Sequence, residues 1–170
     1  QSGKGEESAL AAAYQKAGVP AVVRAFIENM AEAWRASDLA VSRAGADLSV
    51  FAYGMMHYFG RQAATEAAAL GIDAEVVDLR TLSPLDTQAV LASARKTGKA
   101  LIVYEDNKFA GYGAEIAALI SEEAFESLDA PILRVAGPDA PAAPYSHPLQ
   151  DFFMVNTKTI LAGIRRLAAY

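Results

Sequence analysis

The 170-residue sequence predicts an α/β fold: a mostly parallel sheet flanked by helices, in one domain. Three observations carry that prediction. Short strand-like segments alternate with helix-patterned ones along the chain. The segments ALIVY (100–104) and PILRV (131–135) lack two-residue alternation, as strands inside a covered parallel sheet do. Hydrophobic residues make up 53% and charged residues 21%, which supplies a sizeable core and excludes intrinsic disorder.

The elements follow in order. Residues 8–17 read as a helix closed by Gly18 and Pro20. Residues 22–27 read as a strand, and 28–37 as a helix with Met30 and Trp34 on one face, four residues apart. That face is expected against the sheet beside strand 48–53. The segment 39–42 is an extra strand candidate, with an antiparallel place at the sheet edge as one option. Residues 57–70 are helical up to Gly71, and AEVVDL (74–79) is a strand. Pro84 is placed at the start of a helix running to about Lys96, and Gly98 ends it. After ALIVY comes a helix over 113–127, then a strand over 132–135. A Pro-rich loop spans 138–148, and a last helix covers 156–169.

The net charge of −5 comes with no basic cluster, which argues against nucleic-acid binding. There is no cysteine, so a disulfide scaffold, a zinc-thiolate site and a cysteine nucleophile are excluded. No apolar run approaches the roughly 18 residues that span a bilayer. The polar start QSGKGEES is no signal peptide, and without an initiator Met it reads as a processed or cut end.

Candidate chemistry is sparse. The two histidines, His57 and His147, are too few for a metal site of the usual kind, and read as surface or helix-cap residues. Tyr145-Ser146-His147-Pro148 reads as a rigid surface turn, with a binding loop as the rival. Ser2-Gly3-Lys4-Gly5 lacks the full phosphate-loop pattern and reads as a frayed end. Glu105-Asp106-Asn107-Lys108, followed by Gly111-Tyr112-Gly113, lies where parallel sheets bind ligands, yet is also ordinary loop composition. No catalytic residue and no metal ligand is assigned.

From about Asp38 onward, the stretches DLSVFAYGMM, GIDAEVVDLRTLSPLD, KTGKALIVYEDNKFAGYGAEIAALI and EEAFESLDAPILRVAGPDAPAAPYSHPL, with a closing helix ending LAAY, resemble one family. It is the C-terminal domain of the beta subunit of 2-oxoacid dehydrogenase E1 components, of the pyruvate or branched-chain type. The resemblance implies a flavodoxin-like, transketolase-C-terminal architecture. It also implies that the family's thiamine diphosphate and magnesium lie between the alpha subunit and the N-terminal half of the beta subunit, which has no counterpart here. No cofactor is therefore expected on this chain. The domain's implied work is subunit assembly and docking of the E2 core through its subunit-binding domain. The terminal carboxylate on Tyr170 matches a position implicated in that docking. Phe109, Tyr112, Tyr145, Phe152 and Phe153 are the aromatics expected to stay uncovered, which would promote self-association.

The first part resembles another family. Gln1 to Gly5 is similar to a QTGKG turn, Phe26-Ile27-Glu28-Asn29-Met30 to an FI-acidic-x-M segment, and Leu39 to Ala46 to a VVxRxGA strand and turn. These belong to the C-terminal domain of the MurG family, the N-acetylglucosamine transferases of peptidoglycan synthesis. The residue matching Ile27 there presents backbone groups to the uracil of a UDP-sugar. The phosphate and ribose elements of that site are not matched. The chain thus reads as a chimera: a MurG-like helix–strand–helix–strand graft over 1–46 and an E1-beta-like part over 47–170. Tyr14, Phe26, Met30 and Trp34 are expected to join the graft to the core. Both families imply a cytoplasmic location, with no membrane span.

Overall fold

The computed structural model describes residues 46–140 and 144–170, the backbone of Leu39–Ser42, and the isolated positions 12 and 16. The chain divides into two compact units, Gln1–Asp38 and Leu39–Tyr170. All the described strands belong to the second unit. Apart from positions 12 and 16, the expected helix 8–17 lies outside the described residues, as do strand 22–27, helix 28–37 with the Trp34 face, and Ile27.

The elements of the second unit are β1 (Leu39–Ser42), β2 (Leu48–Ala52), α1 (Met55–Ala68), β3 (Ala74–Leu79), α2 (Thr87–Thr97), β4 (Ala100–Asn107), α3 (Gly113–Ala124), a 3-10 turn (Phe125–Ser127), β5 (Leu133–Gly137), α4 (His147–Phe153) and α5 (Thr157–Ala168). The strands form one sheet in the order β1-β3-β2-β4-β5. β2 is parallel to both β3 and β4, and β4 to β5. β1 lies antiparallel to β3 at the edge, Leu39 opposite Leu79, so the 39–42 candidate takes its antiparallel option.

Strand residues alternate between two faces, and each face buries its own set of helices. Leu48, Val50, Ala52, Ala74, Val76, Leu101 and Val103 pack with Met56, Ala63 and Ala67 of α1 and with Ile160, Ile164 and Leu167 of α5. Phe51, Val77, Leu79, Ala100, Ile102 and Tyr104 pack with Val90 and Ala94 of α2 and with Ile116, Ile120 and Ala124 of α3. Both sides of β2, β3 and the first five residues of β4 are therefore dry. That is why their sequences are mainly apolar without strict alternation, with Ser49, Glu75 and Asp78 as the buried polar exceptions.

Local chemistry sets the ends. Asp86 caps α2 by accepting from the Ala89 N–H, and Gly98 closes it in the left-handed conformation at φ 67. α5 opens with a reciprocal box, in which Asn156 Oδ1 accepts from Thr159 N and Thr159 Oγ1 from Asn156 N.

Several expectations need correction. Pro84 does not start α2. It sits in a turn bridged between Leu82 and Leu85, with a cis bond to Ser83, and Asp86 provides the cap instead. β4 runs on to Asn107, because after a register irregularity Asn107 pairs with Gly137, so Glu105-Asp106-Asn107 are strand and not loop. PILRV is not central. Among the described strands β5 is an edge, and residues 133–136 are only half-buried. The helix expected over 113–127 tightens to a 3-10 turn at Phe125. The loop expected over 138–148 gives way to α4 at His147, which tolerates Pro148 in its first turn.

Candidate functional site

The chain leaves β2 toward β3 on one side and then places β4 on the other side of β2. Sheets of this kind bind ligands outside the C-terminal strand ends at that reversal. Tyr53 follows β2, Tyr104 lies in β4, and Tyr112 precedes α3. The Tyr53 ring stacks on Tyr104 at 6.2 Å between centroids and 15° between planes. It meets Tyr112 edge-on at 6.2 Å and 86°. Burial, helped by Asp106 and then by the neighbouring tyrosines and Glu105, pushes the Tyr53 hydroxyl up to about 12.

The polar ends of the other two rings are engaged. Tyr112 donates to Leu82 O at 2.5 Å. Tyr104 Oη accepts from Arg134 Nη1 at 3.1 Å, and the same nitrogen donates to Lys108 O at 2.9 Å. Gly113 makes this packing attainable, since a Cβ there would overlap the Tyr104 ring at Cε1. A Cβ at Gly111 would likewise meet Asn107 O and the Tyr104 ring, so both glycines make room for close packing. Tyr112, expected uncovered, is half-buried by the same contacts.

At the end of β3, Asp78 accepts from Arg80 Nε at 3.1 Å, with His57 Nε2 3.9 Å away. His57 is buried on α1 and is neither a surface nor a cap residue. A single histidine gives no periodic signal, so the sequence does not reveal that burial. Burial lowers its pKa below the usual histidine value. Asp78 opposes that shift, while Arg61 and Arg80 add to it. His147, at the first position of α4, is exposed. Among the described residues, no group of three or more His, Asp or Glu side chains is placed to hold a metal ion.

The opposite end of the sheet holds a cluster that sequence reading missed. Glu75 in β3 is fully buried. Its carboxylate accepts from Ser49 Oγ at 2.9 Å, from Ser93 Oγ and from Lys96 Nζ. Ser49 also shares hydrogen bonds with Ser93 Oγ and Thr97 Oγ1, each at 2.8 Å. The available signal is Ser93 and Thr97 at helical spacing inside α2, opposite a charge inside a strand. This network is satisfied internally and offers nothing to a ligand.

Exposed apolar side chains gather elsewhere. Phe109, Tyr145 and Phe152 are 81%, 101% and 85% exposed. Phe153 is half-buried, contrary to expectation. A groove of about 440 Å³ lies at the end of α3, lined by Arg95 and by 122–127, and Phe125 there is exposed. Tyr170, at the chain end, is exposed too.

The transketolase C-terminal domain model matches residues 37–160. The chain belongs to the transketolase C-terminal domain family. Within it, the 2-oxoisovalerate dehydrogenase subunit beta of Bacillus subtilis is 48% identical over 130 residues, which is 76% of this chain and 40% of that protein. The pyruvate dehydrogenase E1 component subunit beta of the same organism is 44% identical over 130 residues, 76% of this chain and 39% of that one. This chain therefore spans about two fifths of the length of these relatives. A solved split-gene transketolase, described as an inactive beta4 tetramer, superposes with a TM-score of 0.68 at 25% identity, covering 89% of this chain and 47% of that one. A second family, the glycosyltransferase family 28 C-terminal domain, matches residues 1–50. The expected α/β transketolase-C-terminal architecture and the likeness to E1 beta subunits are thus borne out. Among the described residues no helix is long and apolar enough to cross a membrane.

Proposed function

We propose that residues 39–170 form an assembly domain of the 2-oxoacid dehydrogenase E1 beta type, and that the chain performs no catalysis of its own. The carrying observation is the state of the reversal crevice. Tyr53, Tyr104 and Tyr112 pack together there, and Asp78 at the neighbouring strand end is bonded to Arg80. This donor set does not fit thiamine diphosphate and magnesium. A bound diphosphate calls for free backbone N–H groups and a cation-binding carboxylate, not a packed aromatic wall. The exposed aromatics Phe109, Tyr145 and Phe152 suit contact with other subunits.

In this reading the E2 subunit-binding domain docks near the exposed chain end, with the Tyr170 carboxylate as one contact. Calorimetric titration with thiamine diphosphate and magnesium should give no heat of binding. Titration with an E2 subunit-binding domain should give saturable binding, weakened about tenfold by deletion of Tyr170, the worth of one charge-assisted contact. Tight, magnesium-dependent binding of thiamine diphosphate would overturn the reading.

The match of residues 1–50 to the glycosyltransferase model favours a second reading for that segment. Its overlap with the transketolase match at 37–50 supports a chimera joined near residues 38–47. A residual UDP contact at Ile27 would then raise the melting temperature in a thermal-shift series with UDP. No shift is expected, because one backbone contact does not replace phosphate and ribose contacts.

A further inference from the structure

Helices α3 and α5 lie on opposite faces of the sheet. α3 buries Ile116, Ile120 and Ala124 against one face, and α5 buries Ile160, Ile164 and Leu167 against the other. Their outward sides carry opposite charge. α5 exposes Lys158, Ala162 and Arg165, and α3 exposes Glu115, Ala118 and Glu122. Steps of three and four residues keep each trio on one helical face. None of these four charged side chains is in a salt bridge with another described residue. Arg95, which lines the groove beside Glu122, is engaged with Glu123 O at 2.6 Å.

The two trios match in spacing as well as in sign. Along α5 the order is base, four residues to alanine, three to base. Along α3, read backwards, it is acid, four residues to alanine, three to acid. Laid antiparallel, Lys158 meets Glu122, Ala162 meets Ala118 and Arg165 meets Glu115. Both charged ends of each stripe lie about 10 Å apart along the axis, at 1.5 Å per residue. The central alanines let two helix axes approach at the short end of the usual 8–10 Å. Antiparallel packing also sets opposite ends of the helix dipoles side by side.

Charge selects the occupant. Within one chain the stripes cannot meet, because the sheet lies between them. Neither stripe can meet its own copy across a two-fold axis, because like charges would then face each other. The complement that the page supplies for each stripe is the other stripe, on a second copy. We infer that α5 of one copy docks antiparallel on α3 of another. Such a head-to-tail contact leaves a free stripe at each end, so it builds rings or open chains and not a two-fold dimer. The contact is one helix wide and its ion pairs sit at the surface, so association is weak and falls with salt. It uses none of the exposed aromatics and goes beyond the assembly reading.

Sedimentation equilibrium of the full chain, at about 10 mM salt and again at about 1 M, tests it. At low salt the average mass should rise past that of a dimer with concentration, and at high salt that rise should be lost. Lys158→Glu and Glu122→Lys should each weaken association at least tenfold, since like charges then face each other. Each reversal puts its charge at the helix end that the dipole favours, so both variants should keep the wild-type melting transition. An equal mixture of the two variants should associate again. In it the unaltered α5 of one meets the unaltered α3 of the other, and the two reversed charges also pair. A monomer at every concentration in low salt would overturn the inference. So would association that neither reversal weakens, or a mixture no stronger than either variant alone. A monomeric chain that still binds the E2 subunit-binding domain would remove this contact and leave the assembly reading standing.

Discussion

The two ends of the sheet use polar groups in opposite ways. At the end where β2 and β3 begin, Glu75, Ser49, Ser93, Thr97 and Lys96 satisfy one another inside the protein. At the end where β4 and β5 finish, backbone tethers hold Phe109 in solvent, and α4 leaves its apolar residues uncovered. The first arrangement fixes α2 on the sheet and stabilises one packing. The second leaves apolar surface that the assembly reading assigns to contact with other subunits. A charge within a strand thus marks structure here.

That contrast breaks first at the Glu75–Lys96 pair, whose carboxylate is buried while its ammonium is exposed. Lys96→Met leaves the Glu75 carboxylate with the Ser49 and Ser93 hydroxyls alone. It should cost about 2 kcal/mol in denaturant melts, less than breaking a fully buried pair because solvent screens the Lys96 end. A cost below about 0.5 kcal/mol, the range of ordinary surface changes, would show that the network is ornamental.

Gly113→Ala sharpens the contrast at the other end. Its Cβ would overlap the Tyr104 ring at Cε1. The ring is packed on both sides and the helix start must shift, so about 2 kcal/mol should be lost, as in overpacked cores. The tyrosine absorbance titration should change with it. Burial pushes the Tyr53 phenol up to about 12, and loosening that stack should bring it down.

His57 gives a smaller, pH-dependent effect. Its folded pKa lies below the usual value, so the unfolded chain takes up the proton first. Stability from this group is therefore present above about 6.5, the usual histidine pKa, and is lost as pH falls below it. His57→Gln should flatten the stability profile between roughly pH 7 and 5. An unchanged slope in that variant would assign the effect to other groups.

Much of the fold was legible, for a physical reason. Strands 74–79 and 100–104 are buried on both faces, so their residues do not alternate apolar with polar; ALIVY is apolar throughout, and AEVVDL departs from that only at Glu75 and Asp78. Gly98 was legible because a helix end commonly needs a left-handed residue. The failures fall where local pattern does not decide. β5 reads like a buried strand but is an edge among the described strands, because strand order is a long-range property. α4 was invisible because it buries no stripe, and without burial there is no helical periodicity to read. His57 was misplaced because burial of one polar residue depends on Asp78 and Arg80, more than twenty positions away. The candidate surface was half legible. Phe109, Tyr145 and Phe152 stood out as aromatics near turns, whereas Tyr112 and Phe153 are partly covered by packing that spacing does not reveal.

The smallest expected effect belongs to that surface. Phe109→Ala or Phe152→Ala should alter monomer stability by no more than about 0.5 kcal/mol, as exposed positions do. A larger loss by either would place that ring in the fold and not in a contact.

Hydrogen–deuterium exchange at two protein concentrations tests the difference between the two ends most directly. Raising the concentration should add protection at 108–110 and 145–154 and leave 74–79 and 87–97, the segments around Glu75, unchanged. Protection that rises equally in both regions, or in neither, would contradict the division of labour between the two ends.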